Sequence, residues 1–258
     1  MGGSGMGDGH EICVVVPCFN EEHGIEATLR SLLAQSDRGF SLVVVDNGST
    51  DGTVARVAAF RDAHPALDLR LIVEPQKGTG AAADTGFRYA IARGARYIAR
   101  TDDDWLAHPD WIRRIRRGFG PEGLEFVIGK IVPRTDDLPL SRADRLALPV
   151  ILGIAENFGR LFRHGRQFKY PYIMVAGNNL ALTADLYLRA GGFPRTRIEQ
   201  AHEDKVLSER IRQLTRRAAK RNDVIVYNSI RRVRRYGYLR TLLWYWDHKY
   251  RPADVDIR

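Results

Sequence analysis

The sequence predicts an α/β protein built on a mostly parallel, Rossmann-like central sheet with helices on both faces. Three observations carry this. Four short β-branched or apolar runs fall in the first hundred residues, helical patterns separate them, and each run ends in a loop rich in turn-forming or acidic residues. Short continuous apolar runs fit strands buried on both faces, as in a parallel sheet. Strand–helix alternation then favours right-handed crossovers.

The first run is Ile12 to Pro17 (ICVVVP). A helix is expected over Glu21 to Gln35, where Ile25, Leu29, Leu32 and Leu33 recur at i, i+4, i+7 and i+8 behind two Glu in the first turn. The second run, Phe40 to Asp46, precedes a helix over Thr53 to Ala63 with Val54, Val57 and Ala58 on one face. The third, Leu69 to Glu74, precedes an Ala-rich helix over Gly80 to Arg93 that ends at Gly94, a suitable C-cap. The fourth, Tyr97 to Asp102, runs straight into three consecutive carboxylates. Beyond Asp104 the pattern is less regular. A strand is expected over Phe126 to Val132, mainly helix over Arg142 to Arg163, helices over Ala184 to Ala190 and Glu203 to Arg217, and a last strand at Val224 to Tyr227. Met1 to Gly9 reads as a tag or linker, and with no repeat or low-complexity linker beyond it, residues 10–258 read as one domain.

The chain has 258 residues and a net charge of +9, concentrated late, in Arg113 to Arg117, Arg210 to Arg221 and Arg231 to Arg240. Such clusters suit nucleic acid, an anionic membrane surface or a phosphorylated substrate, but more often they are solvated helix faces. With no zinc-finger spacing and no aromatic RNA-binding motif, no nucleic-acid partner is expected. The longest apolar run, Leu146 to Ala155, is broken by Pro149 and Gly153 and is too short to span a membrane. No signal-peptide pattern is visible, so a cytoplasmic protein is expected. The tail Arg231 to Arg251 fits either a peripheral contact with the inner membrane face or a lid. The favoured reading is a helix packing Leu239, Leu242, Leu243 and Trp246 on the core. Cys13 and Cys18 read as free thiols.

The chemistry gathers in the loops that follow the four runs. Asp102, Asp103 and Asp104 repel one another, and a folded chain tolerates them best beside a cation or strong donors. Mg²⁺ in particular takes one or two carboxylates plus substrate phosphates. Asp102 and Asp104 leave a D-x-D spacing at the carboxyl end of a strand, where open α/β sheets bind ligands. Pro17 to Glu22, Asp46 to Thr53 and Gln76 to Gly80 should reach the same edge. There Asp46 and Asn47 have groups suited to a base or ribose, and Gly78 and Gly80 let the backbone approach phosphate at a helix N-terminus.

Taken together, P-C-F-N-E at Pro17 to Glu21, V-V-V-D-N-G-S-T-D-G-T at Val43 to Thr53, K-G-T-G-A-A-A-D-T-G at Lys77 to Gly86 and T-D-D-D-W-L-A-H-P-D-W at Thr101 to Trp111 resemble family 2 glycosyltransferases with the GT-A fold. Gly177-Asn178-Asn179 with Gly191-Gly192-Phe193-Pro194, and His202-Glu203-Asp204, are similar to the family's later motifs. The resemblance runs from about Ile12 to Arg217. It implies a UDP-, GDP- or dTDP-linked sugar donor, a divalent metal (Mn²⁺ or Mg²⁺) and a small-molecule or lipid-linked acceptor. It also implies a donor-binding half at 10–105 and an acceptor-binding half with a helical tail at 106–258. Pro17, Asn20 and Glu21 would line the nucleotide pocket, and Asp46 with Asn47 would face base and ribose. Lys77, Gly78, Asp102 and Asp103 complete the donor side, with Gly177, Asn178 and Asn179 near donor sugar or acceptor. Asp104 is the expected direct metal ligand beside Asp102, with His248 as a candidate third. Asp204 resembles the catalytic base of an inverting displacement, and Glu203 is the second choice. His202 reads as an exposed helix-start residue rather than a ligand. Many relatives carry Asp where Asn47 stands, and Gln76 and Asp84 replace a common Asn, so the base stays open.

Three rivals remain. Gly78 to Ala83 matches the G-x-G-x-x-A fingerprint of an NAD(P)-dependent oxidoreductase, but on the third strand rather than the first. A sugar nucleotidyltransferase would place its glycine-rich signature after the first strand, where Cys18 to Glu21 stands. A sugar-nucleotide binding module would bind without turnover.

Overall fold

Every residue of β1 (Ile12–Cys18) is buried, because apolar side chains point to both faces of the strand. It pairs in parallel with β2 (Phe40–Asp46) on one side and with β4 (Tyr97–Arg100) on the other. β3 (Leu69–Val73) lies parallel outside β2 and forms the sheet edge. The chain therefore builds outward through β1, β2 and β3, then crosses back to the far side of β1. This places a topological switch point, and a crevice, between the carboxyl ends of β1 and β4. The structure, a computed structural model, describes residues 10–134, 150, 165–175, 177–195 and 202–228. The helix expected over Arg142 to Arg163, the tail Arg231 to Arg251 and His248 lie outside the described residues.

The sheet continues in the order β3-β2-β1-β4-β7-β6-β8-β5. β7 (Leu180–Thr183) runs antiparallel to both β4 and β6 (Phe126–Pro133). β8 (Ala218–Asn228) is parallel to β6, and the short β5 (Leu106–Ala107) closes the far edge antiparallel to β8. The expected α/β class with a mostly parallel sheet therefore holds, and β7 and the short edge strand β5 are the strands that reverse direction.

Helices cover both faces. Ile25, Leu29 and Leu32 of α1 (Ile25–Leu33), Val57 and Phe60 of α2 (Thr53–Ala63), and Trp111, Ile112 and Ile115 of α4 (Trp111–Phe119) pack against Ile12, Val14 and Val16. Phe87 of α3 (Thr79–Ala92), Leu186 of α5 (Ala184–Arg189), and Leu207 and Ile211 of α6 (Glu203–Leu214) pack against Cys13 and Val15 on the other face. Burial of each such side chain contributes about 1.5–3 kcal/mol. Since β1 is apolar on both faces, this pattern alone does not fix its register. Close approach at Gly86 does so instead, because a methyl group there would collide with Val15 and Val45.

Two elements differ from expectation for local reasons. α1 starts at Ile25 rather than Glu21, because the backbone N–H of Glu21 donates to Thr53 Oγ1 (2.8 Å) and that of Glu22 to Asp51 (3.1 Å). Those bonds hold the preceding turn out of the helix. β8 begins six residues earlier than its apolar pattern, and its pairing with β6 jumps from Gly129↔Arg221 to Lys130↔Ile225. The looped-out residues present the Asp223 carbonyl to Arg114 and the Val224 carbonyl to Asn179.

Candidate active site

The loops after β1, β2, β3 and β4 meet at one edge and are tied to one another. Asn20, at φ +51°, accepts the Thr50 N–H on Oδ1 (2.8 Å), and its own N–H donates to Ser49 Oγ (3.0 Å). Asp46 is buried and accepts the Gly48 and Ser49 N–H groups, both at 3.1 Å. Pro17 lies within β1, opposite Val45. The Glu21 side chain is buried against Gly24, where a Cβ would strike its carboxylate.

Asn47 was expected to face base and ribose, but its amide is committed to the next loop. Nδ2 donates to the Glu74 and Gln76 carbonyls (both 2.8 Å), and Oδ1 accepts the Gly78 N–H (2.8 Å). Lys77 Nζ reaches the Asn47 and Gly48 carbonyls (3.0 and 2.9 Å) and sits 4.1 Å above the Phe19 ring. Asn47, Lys77 and Gly78 thus form one brace that positions the rim. Gly80, expected to make room for phosphate, serves packing instead: a methyl there would collide with the Pro194 carbonyl and press on Glu203. With Gly80 so used, and with its loop following the edge strand β3 rather than lining the switch point, the dinucleotide fingerprint loses its structural basis.

The acidic triplet sits at the switch point. The backbone N–H of Phe19 donates to Asp103 Oδ2 (3.1 Å), and Thr28 Oγ1 to the Asp103 carbonyl (2.8 Å), which joins the β1 and β4 loops. Burial, followed by the nearby Asp104, Asp102 and Glu21 carboxylates, pushes the Asp103 carboxyl well above the usual range. Asp102 Oδ1 accepts from Nε and Nη2 of Arg100 (3.3 and 3.2 Å). Arg100 is only 2% exposed, and its Nη1 donates to Glu203 Oε1 (3.1 Å). Burial alone would lower its pKa, but Asp102, Glu203 and Asp204 outweigh that and raise it.

Asp204 lies in the first turn of α6, where its Oδ2 accepts the Gly177 N–H (3.0 Å) and its Oδ1 the Lys205 N–H (2.6 Å). Gly177 must be small, since a side chain there would come within 3.1 Å of Arg100 Nη1 and 3.3 Å of the Asp204 Cβ. Oδ1 of Asn178 is buried without a hydrogen-bond partner among the described residues, an acceptor suited to a ligand hydroxyl. Asn179 turns into the core. Its Oδ1 accepts the Trp111 Nε1–H (2.9 Å), and its Nδ2 donates to the Lys130 and Val224 carbonyls (3.0 Å each). His202 is the N-cap of α6 and is partly exposed.

Sequence reasoning missed two arginines. Arg100 had one visible signal, a basic residue directly before T-D-D-D in a run otherwise apolar. Arg195 had none. It pairs with Glu74 (2.7 Å) and Asp84 (3.3 Å) and donates to Gln76 Oε1 (3.1 Å), while its backbone carbonyl accepts from Gln76 Nε2 (2.7 Å). The departures at Gln76 and Asp84 are therefore parts of one charged cluster that also holds Arg88 and the Tyr187 hydroxyl (2.9 and 2.7 Å from Asp84).

The residues present fit a hard divalent cation. Asp102, Asp103 and Asp104, three consecutive carboxylates at the carboxyl end of β4, supply the oxygen donors that such an ion takes. Among the described residues no group of three or more His, Cys, Asp or Glu is arranged to hold a metal, so such an ion would need ligand phosphates as well. Cys13 and Cys18 are free and buried. Among the described residues no helix is long and apolar enough to cross a membrane.

A parallel β1–β4 switch point, an acidic triplet and a carboxylate-bearing helix start define an α/β protein with an acidic crevice at the carboxyl edge of its sheet. The chain belongs to glycosyl transferase family 2, whose family description matches residues 13–184. It is 33% identical over 101 residues to the UDP-Glc:alpha-D-GlcNAc-diphosphoundecaprenol beta-1,3-glucosyltransferase WfgD of Escherichia coli, covering 39% of this chain and 38% of that protein. It is 28% identical over 204 residues to the succinoglycan biosynthesis protein ExoO of Rhizobium meliloti, covering 70% of this chain and 57% of the relative. The chain thus spans only about a third to a little over half of the curated relatives it matches. In fold it resembles the mannosyltransferase PcManGT from Pyrobaculum calidifontis, solved with GDP-Man and Mn²⁺, at a TM-score of 0.64 and 23% identity, covering 93% of this chain and 65% of that one. The fold is therefore GT-A.

Proposed function

We propose that this chain is a metal-dependent, inverting glycosyltransferase that moves a sugar from a nucleoside-diphosphate sugar to an acceptor hydroxyl. The observation that carries the reading is the placement of Asp204. It stands at the start of α6, held by the Gly177 N–H and joined through Glu203 and Arg100 to the acidic triplet. Asp104 and Asp102 would hold a divalent ion, which when bound supplies charge stabilisation to the leaving diphosphate. The acceptor oxygen attacks the anomeric carbon, the bond from that carbon to the diphosphate breaks, and Asp204 takes the hydroxyl proton. One base and one leaving group on opposite sides of the carbon give inversion. Glu203 is less suited to act as base, because its carboxylate is bound to Arg100 and packed over Gly80. Asn178 Oδ1 offers an acceptor for a sugar hydroxyl.

Residues 10–105 form the donor half in this reading, and 106–258 the acceptor half with the tail. The E. coli relative is named for a diphosphoundecaprenol-linked substrate, which supports a lipid-linked acceptor and a place at the inner membrane face. The late basic residues suit the phosphates of such an acceptor. Thermal unfolding with UDP, GDP and dTDP, each with Mn²⁺ or with chelator, tests the reading. A Mn²⁺-dependent rise in midpoint with one nucleotide, lost in Asp104→Ala, is expected; a ligand at 100 times its Kd adds about 2.7 kcal/mol. No shift with any nucleotide, or a metal-independent shift with NAD(P), would overturn it.

A further inference from the structure

We propose that Arg100 is a positioning residue that weakens the hold of Asp102 on the divalent cation and keeps the base-bearing helix in place through Glu203. This rests on the glycosyltransferase reading, in which Asp102 and Asp104 face that cation.

One guanidinium serves two carboxylates from distant parts of the chain. Nε and Nη2 face Asp102 Oδ1, and Nη1 faces Glu203 Oε1. The slot that holds it is built from several elements. The Phe193 ring lies 5.4 Å from the guanidinium carbon, and Gly177 leaves space that any side chain would close. Gly80 lets Glu203 approach α3 closely enough to reach the arginine. A flat, forked cation suits this slot, whereas a lysine would supply a point charge without the fork.

The electrostatic consequence has a definite sign. A guanidinium does not deprotonate in a protein, and a buried charge is weakly screened. A cation approaching Asp102 therefore meets a fixed positive charge on the same carboxylate. Removing the guanidinium should strengthen cation binding and at the same time loosen the start of α6, where Asp204 sits. Loss of any nearby positive charge would raise metal affinity, so the accompanying fall in kcat is what marks the positioning role. Glu203 acts in the opposite direction, because its carboxylate on Nη1 offsets part of the positive charge that the cation meets.

The test is a Mn²⁺ titration followed by electron paramagnetic resonance, with the full chain and with UDP or GDP present, on folded samples checked by circular dichroism. Arg100→Gln should bind Mn²⁺ about ten-fold more tightly, and Glu203→Gln several-fold more weakly, than the wild type. Release of nucleoside diphosphate from a nucleotide sugar should slow in Arg100→Gln through kcat rather than KM. Should Arg100→Gln not fold, Arg100→Lys is read instead: it keeps the charge and loses the fork, so Mn²⁺ binding near the wild type with a lowered kcat is expected, and a wild-type kcat overturns the inference. Unchanged or weaker Mn²⁺ binding in Arg100→Gln, or tighter binding in Glu203→Gln, overturns the inference while leaving the glycosyltransferase reading intact. A wild type whose Mn²⁺ binding survives Asp104→Ala undamaged, or that binds none, overturns both.

Discussion

Replacing Asn179 by alanine separates a core tie from a substrate contact. The side chain is 1% exposed and joins β7 to β6, β8 and α4 through three hydrogen bonds. Asn179→Ala leaves the Trp111 indole N–H and the Lys130 and Val224 carbonyls without this partner. A buried polar group left unsatisfied costs about 1–3 kcal/mol. Entry of a water offsets part of this, so the loss should come to roughly 3–6 kcal/mol. That is a large share of a typical total of about 5–15 kcal/mol. Urea unfolding followed by tryptophan fluorescence and far-UV circular dichroism measures it, with the slope checked for an unchanged denatured state. A loss below about 1 kcal/mol, or a variant of normal stability with a raised KM for the nucleotide sugar, would refute the placement of Asn179 in the core.

Gly80→Ala should destabilise the protein even though alanine is the better helix former by about 0.8–1 kcal/mol, because the added methyl meets the backbone carbonyl of Pro194; thermal unfolding that moves upward would contradict this. Neither cysteine should react with a thiol reagent in the native state, since burial pushes the Cys13 thiol up to about 12 and raises Cys18 further, whereas both should react in denaturant. Burial would raise the Glu74 carboxyl, but hydrogen bonds from Thr85, Arg195 and the Gln76 N–H outweigh it and hold it below the ordinary 4.5. Its folded pKa is depressed, so its contribution is present above the unfolded value and lost as pH falls through the folded one. Stability should therefore drop below pH ~4.3, and Glu74→Gln should flatten that part of a urea-midpoint profile.

The first half of the fold was legible because continuous apolar runs such as Ile12 to Cys18 and Phe40 to Asp46 have few other uses than buried parallel strands. α4 escaped notice because four arginines interrupt Trp111, Ile112, Ile115 and Phe119, and the residues that read as a basic cluster are its outer face. Most of β8 was hidden in the same way, as Ala218 to Asp223 carries charge and no alternation. At the candidate site, the acidic triplet was legible as carboxylates that end a strand run, whereas the Glu203-Asp204 pair, at a helix start, was singled out by the family resemblance alone. Side-chain direction was not legible. Asn47, Gly80 and Asn179 all look like ligand residues by type, yet each is satisfied by protein atoms from another part of the chain. Arg100 stood out only as a basic residue in an apolar run, and its role stayed hidden because its partners stand two and 103 residues away.

The stitching of the rim has a consequence for how a donor is received. Glu22 holds the Gly52 N–H (2.8 Å), Asn20 holds Thr50, and Lys77 holds Asn47 and Gly48, so the loops are ordered by one another before any ligand arrives. Immobilising each such side chain on binding would otherwise cost about 0.5–1.5 kcal/mol. Folding has already met that cost, so recognition on this side should register in calorimetry as heat with little conformational entropy opposing it. Association should be a single fast phase rather than a slow closing step.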